Sequence, residues 1–157
     1  MKIAIGSDHR GYEAKQQIMA IITQMGPEFI DMGATGGQPA DYPDIAYLAA
    51  TAVSKKQADR AILICGTGIG MCIAANKIKG VRAALCHDEL TAKISRNHND
   101  SNVLCVSGDL IGAVLLRRIV EAWLSAEFSG GRHLRRVNKI KAIEDGKDPQ
   151  ELKNGQD

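Results

Sequence analysis

Five short apolar, β-rich runs separated by helical patterns constrain this chain more than any other feature. The runs are Lys2–Ser7, Glu28–Met32, Arg60–Cys65, Val81–Cys86 and Asn102–Val106. The helical stretches are Gly11–Gln24, Ile45–Lys55, Ile69–Lys77, Leu90–Asn97 and Ile111–Glu127. Strands that are apolar throughout have to be covered on both faces. Strands alternating with helices therefore predict a parallel sheet between two helical layers: a three-layer α/β/α sandwich, Rossmann-like, with five strands. The crossovers are expected to be right-handed. After Gly130-Gly131 a further helix, Arg132–Glu144, has no sixth strand to follow it. That extra C-terminal helix is expected to pack on a neighbouring subunit. Residues 1–144 then form one domain, and Asp145–Asp157 is a polar tail expected to fray.

Composition narrows the function classes. At 157 residues with 45% apolar and 24% charged side chains, the chain suits one soluble domain with a sizeable core. No apolar run approaches the roughly 18 residues that a membrane helix needs. The Met1-Lys2-Ile3-Ala4-Ile5 start enters a strand pattern directly, so no signal peptide is expected and the protein is read as cytoplasmic. A net charge of +2 and 4% aromatic residues argue against a nucleic-acid surface, which needs a basic face or stacking rings. Cys65, Cys72, Cys86 and Cys105 lie in or beside apolar segments without a C-x-x-C pair, which reads as reduced thiols and not as disulfides or zinc.

In open parallel sheets, ligands bind at the carboxyl ends of the strands where strand order reverses. Two strand ends here carry useful chemistry, Ser7-Asp8-His9 and Cys65-Gly66-Thr67. If strands 1 and 3 are neighbours, Asp8, His9 and Cys65 converge on one crevice. Gly66-Thr67-Gly68-Ile69-Gly70 opens directly into a helix. It lacks the third glycine of a dinucleotide fingerprint, since residue 71 is Met, and it lacks the Lys-Ser/Thr of a P-loop. It reads either as a packing turn or as a cradle whose N–H groups meet an anion. Cys65 stands beside that turn, and a thiol at a helix N-terminus ionises more readily than a buried one. Cys72, Cys86 and Cys105 read as small buried hydrophobes.

The other polar groups admit two readings each. Asp8 suits a helix N-cap, and with His9 and Tyr42 it also suits a polyol. Asp41-Tyr42-Pro43-Asp44 reads as a loop and helix start. No spacing around Asp8 and His9 supports a metal. His98 and Asn99 lie in a very polar stretch before strand 5 that reads as a loop, at the amino end of that strand and away from Cys65. If His98 works in catalysis, it does so in a neighbour's crevice, as a residue suited to proton transfer near neutral pH. Arg132 and Arg136 are four apart, so they share a helix face, and two guanidinium groups there suit a phosphate dianion.

Taken in order, Gly6-Ser7-Asp8-His9, Asp41-Tyr42-Pro43, Cys65-Gly66-Thr67-Gly68-Ile69-Gly70, Ala74-Ala75-Asn76-Lys77, Arg96-Asn97-His98-Asn99-Asp100 and Gly130-Gly131-Arg132-His133 resemble the type B ribose-5-phosphate isomerases. These belong to a sugar-phosphate isomerase family that also holds galactose-6-phosphate and allose-6-phosphate isomerases. The resemblance runs to about Asp145. It implies an aldose–ketose isomerase that needs no cofactor and no metal. Cys65 would be the base that moves a proton between C1 and C2 through an enediolate. Thr67 and the backbone amides of Gly66, Gly68, Ile69 and Gly70 would steady its oxygens. His98 would assist ring opening, with Asp8 as helper. His9, Arg132 and Arg136 would hold the phosphate and Asn99 a sugar hydroxyl. The resemblance also implies a homodimer or homotetramer with sites at the subunit interface, and a small sugar phosphate as partner in place of nucleic acid or membrane. One departure stands out. The family often has an arginine after strand 5 that contributes to phosphate binding, and Asp109 occupies that place. The alternatives are that Arg132 and Arg136 suffice, that Asp109 pairs with one of them, or that a six-carbon sugar phosphate is preferred.

Overall fold

The computed structural model describes residues 1–36 and 38–152. Five strands, β1 (Lys2–Ser7), β2 (Glu28–Asp31), β3 (Arg60–Cys65), β4 (Ala83–Leu85) and β5 (Val103–Ser107), alternate with α1 (Tyr12–Met25), α2 (Tyr42–Ser54), α3 (Ile69–Ala75), α4 (Glu89–Asn99) and α5 (Ala113–Ser125). The sheet order is β2-β1-β3-β5-β4 and every pairing is parallel. Strand order reverses between β1 and β3, which are direct neighbours, with Ser7 paired to Ile64.

Because successive strand residues face opposite sides of a sheet, each central strand feeds both helical layers. Ile3 and Ile5 of β1, Ile62 and Ile64 of β3, and Leu104 and Val106 of β5 pack with α1, α4 and α5 around the fully buried Trp123. Ala4, Leu63, Cys65 and Cys105 face the other way, onto α2 and α3. Burying a large aliphatic side chain contributes about 1.5–3 kcal/mol. The doubly covered strands therefore provide much of the core's stability, and the three-layer sandwich expected from the sequence is present. The parity also settles which layer Cys65 belongs to: its side chain lies on the α2/α3 face, where the glycine turn begins.

Several boundaries differ from the sequence reading. Strand 4 shrinks to three residues because the Arg82 N–H goes to Asn102 Oδ1 at 2.8 Å, a side chain, and not to the β5 backbone. Helix α2 starts three residues earlier than expected, at Tyr42, with Pro43 in its first turn, where a missing N–H costs nothing. His98 and Asn99 are not in a loop but in the last turn of α4. Polar residues are tolerated there because the end is well tied: Arg96 reaches Asp100 Oδ1 at 2.8 Å, and Asp100 closes the helix in a left-handed conformation. The last helix, α6 (Arg132–Glu144), packs on α4 of its own chain and buries His133 and Ala142. Glu144 accepts the Gly80 N–H at 2.6 Å. The start of the expected frayed tail is ordered as a 3-10 turn over Pro149–Glu151, whose Pro149 carbonyl accepts Lys139 Nζ at 2.8 Å. Residues 153–157 of that tail lie outside the described residues.

Candidate active site

The strand-switch crevice forms at the carboxyl ends of β1 and β3. It is lined by Asp8, Arg10, Tyr42, Cys65, Gly66, Thr67, Ile69, Gly70 and Ile73. The chain leaves β3 at Cys65 and turns at once. The Gly68 N–H donates to Cys65 Sγ at 3.1 Å, so a backbone donor already points at the sulfur. Gly68 takes φ +78°, and a Cβ there would stand 2.6 Å from Leu85 Cδ1 and 2.9 Å from the Val106 carbonyl carbon. Only glycine meets both demands. At Gly70 a Cβ would fall 2.5 Å from the Tyr42 ring, so that glycine lets Tyr42 pack directly against the turn. Thr67 is exposed and its Oγ1 accepts the Ile69 N–H at 3.3 Å, which leaves the hydroxyl proton available to donate.

The N-cap of α1 is Gly11, without a side-chain cap bond, so Asp8 does not take the capping role the sequence offered. Its Oδ1 accepts the N–H groups of Arg10 at 3.0 Å and Gly11 at 2.9 Å, shaping the entry to α1, while the residue also lines the crevice. His9 is exposed beside it. Ser107, at the end of β5, was not singled out from the sequence. It is fully buried and donates to the Gly66 carbonyl at 2.5 Å while accepting the Leu110 N–H at 2.9 Å. A serine ending an apolar strand was the available signal, and its role is to tie the Cys65 turn to the β5 loop.

His98, Asn99, Arg132 and Arg136 do not line this crevice. They gather where α6 crosses the end of α4. The His98 and His133 rings stack with centroids 4.0 Å apart and planes 6° off parallel. Burial, then the nearby His98, Arg132 and Arg136 charges, lower the His133 pKa and favour its neutral form. Arg132 and Arg136 are exposed. Within one chain the expected site residues therefore fall into two halves, one around Cys65 and one around His98.

The geometry sits in a known frame. The ribose/galactose isomerase family model matches residues 3–140. The chain belongs to the ribose/galactose isomerase family. It is 47% identical over 143 residues to ribose-5-phosphate isomerase B of Escherichia coli (strain K12), covering 91% of this chain and 96% of that protein. The structure of ribose-5-phosphate isomerase B from Clostridium thermocellum superposes with a TM-score of 0.91 at 49% identity, covering 93% of this chain and 99% of that one. The Mycoplasma genitalium enzyme, solved with bound ribulose-5-phosphate, superposes with a TM-score of 0.88 at 43% identity, covering 92% and 96%.

Two features of this family member depart from the sequence reading. Within the chain the Asp109 Oδ2 takes the Arg10 guanidinium, a partner the sequence reading did not offer. Cys72 is only half-buried, packed at the edge of the α2/α3 core with its Sγ donating to the Ala83 carbonyl. A hydrogen bond from Cys105, helped by one from Asn76, lowers its thiol to about 7 despite partial burial. Burial raises Cys86 to about 11, and Cys105 well above the ordinary thiol value. Iodoacetamide at pH 7.5 is therefore expected to label Cys72 ahead of Cys86 and Cys105, as read by peptide mass spectrometry. Labelling of Cys86 first would contradict this assignment. It follows that alkylation tests of Cys65 belong in a Cys72→Ser background.

Proposed function

We propose that this protein interconverts ribose 5-phosphate and ribulose 5-phosphate, with Cys65 as the proton-transferring base. The observation that carries the reading is the Cys65 sulfur at the switch-point crevice, met by a backbone donor and followed by a glycine turn, in a chain whose family includes enzymes of that name. In the open-chain aldose, the Cys65 thiolate takes the proton from C2 and the electron pair moves onto the C1 carbonyl oxygen, giving an enediolate. The same proton returns to C1 while the O2 proton passes to O1, leaving the ketose. We assign stabilisation of the enediolate oxygens to the Thr67 hydroxyl and to turn amides other than those of Gly68 and Ile69, which are engaged by Cys65 Sγ and Thr67 Oγ1. Asp8 and Tyr42 face the sugar, with His9 beside them.

The remaining groups come from a second copy of the chain. His98 assists ring opening, Asn99 holds a hydroxyl, and Arg132 and Arg136 meet the phosphate. Two observations support this: the four residues lie outside their own crevice, and exposed Ile69, Ile73 and Tyr42 form an apolar rim beside it that a partner would cover. Among the described residues no helix is long and apolar enough to cross a membrane. The four free thiols fit a reducing, cytoplasmic setting.

The test is a comparison of kcat/KM for ribose 5-phosphate with allose 6-phosphate and galactose 6-phosphate, followed as ketose formation. A pentose preference of about a hundredfold, or roughly 2.7 kcal/mol of transition-state discrimination, is expected. A hexose phosphate turned over faster would replace the substrate assignment.

A further inference from the structure

Arg10 is the one cation among the described residues that line the Cys65 crevice. Its placement is built from both sides. The Arg10 N–H is fixed by Asp8 Oδ1, and its guanidinium is held by Asp109 at the end of β5. The Asp109 N–H in turn bonds the Gly66 carbonyl at 3.2 Å, so the carboxylate is anchored to the catalytic turn itself. The guanidinium lies directly across Gly66: a Cβ at that position would stand 3.0 Å from Arg10 Nε and 2.9 Å from Asp109 Oδ2. The pair therefore bridges the mouth of the crevice one residue beyond the sulfur. Asp109 engages one Arg10 nitrogen, Nη2. A guanidinium carries five N–H donors, and the Arg10 side chain is 62% exposed, so donors beyond the one given to Asp109 are accessible to a ligand.

A sugar phosphate brings a dianion into a crevice whose other ionisable lining residues in this chain are Asp8, Tyr42 and Cys65, none of them cationic. Planar paired donors suit phosphate oxygens far better than a neutral rim does. We infer that Arg10, held across Gly66 by Asp109, is a binding residue for the phosphate group of the substrate. The inference deepens the isomerase reading and rests on it for the identity of the substrate. It also gives Asp109 a role: the carboxylate positions Arg10 and does not confront the phosphate alone.

The experiment measures inorganic phosphate binding by calorimetry, alongside ribose 5-phosphate turnover, for the wild type, Arg10→Ala and Arg10→Lys. Arg10→Ala is expected to weaken phosphate binding and raise KM together, by about tenfold or more, with kcat within about threefold of wild type. Arg10→Lys is expected to recover part of both losses, because it restores the charge but not the paired donors. A role confined to bracing the β1 and β5 loops would move neither phosphate affinity nor the Lys rescue. The inference is overturned if phosphate affinity and KM stay within twofold in Arg10→Ala, if kcat alone falls, or if an active wild type shows no phosphate binding. A wild type that binds phosphate through Arg10 yet leaves ribose 5-phosphate unchanged would defeat the isomerase reading and leave the anion anchor standing.

Discussion

Cys65→Ala is expected to lower kcat for ribose 5-phosphate isomerisation by about a thousandfold or more, with KM within a fewfold of wild type. The reasoning is local. On the proposed mechanism the substitution removes the base that accepts the C2 proton, and general-base catalysis accounts for about 10²–10⁴ in rate. A thousandfold loss equals about 4 kcal/mol of transition-state stabilisation. The crevice keeps its binding groups, since Ser107 and the β5 loop still tie the glycine turn when the Gly68 N–H loses its bond to the sulfur. Cys65→Ser keeps the shape and the Gly68 N–H contact but offers a far weaker base, so only a trace of turnover is expected. Progress curves of ketose formation for the three proteins decide the matter. Activity in Cys65→Ala above a tenth of wild type would remove Cys65 from the role of base.

The largest stability effect is expected at Lys15. Its side chain is fully buried, an unusual place for an ammonium group, and it is completely engaged. Nζ reaches both Asp31 oxygens at 2.7 and 2.8 Å, the Gly33 carbonyl at 3.1 Å and the Ala34 carbonyl at 2.8 Å. Gly33 and Ala34 in turn pair with the backbone of Ser7, the residue before Asp8. Lys15 thus pins the chain after β2 against the end of β1 that carries Asp8 and Arg10. Lys15→Met fills similar volume but strands the Asp31 carboxylate and the Ala34 carbonyl, while the Gly33 carbonyl keeps the Ser7 N–H. Breaking a buried pair from one side costs about 3–5 kcal/mol. Asp31 keeps 30% exposure and can be partly resolvated, so about 3 kcal/mol is expected here. For a chain of this size that lowers Tm by roughly 6–12 °C. Adding Asp31→Asn should recover part of the loss by removing the stranded charge. Thermal unfolding of the single and double variants tests this, and a loss below about 1 kcal/mol in Lys15→Met would show that the clamp does not hold the loop.

The elements most visible in the sequence were those with a redundant signal. Each central strand is apolar on both faces and bounded by polar or glycine residues, so β1 and β3 appear with the expected ends. The Cys65 turn was visible because alternating glycines after a strand have few other uses, and the crevice does gather Asp8, Tyr42, Cys65 and the 66–70 turn. Signals that depended on one residue were weaker. The polar run through His98 read as a loop because sequence alone hides that Arg96 and Asp100 tie the helix end. Cys72 read as inert because its acidity comes from Cys105, 33 positions away in the chain. The sequence left the partner of Asp109 open because Arg10, with which it pairs, is 99 residues distant.

The division has a physical basis. Periodic burial and backbone conformational demand act over a few residues, so the amino-acid sequence by itself determined the strand–helix alternation, the two helical layers and the thiol at a strand end beside a glycine turn. Ion pairing, thiol acidity and the burial of Lys15 depend on what long-range packing brings within about 3 Å, because electrostatic and hydrogen-bond energies are decided at contact. The register of β1 on β3 decided that Asp8, Arg10 and Cys65 share one crevice, the crossing of α6 on α4 decided that His98 stands with His133 and not with Cys65, and the folding back of the β2 loop decided that one lysine would be buried beneath the site.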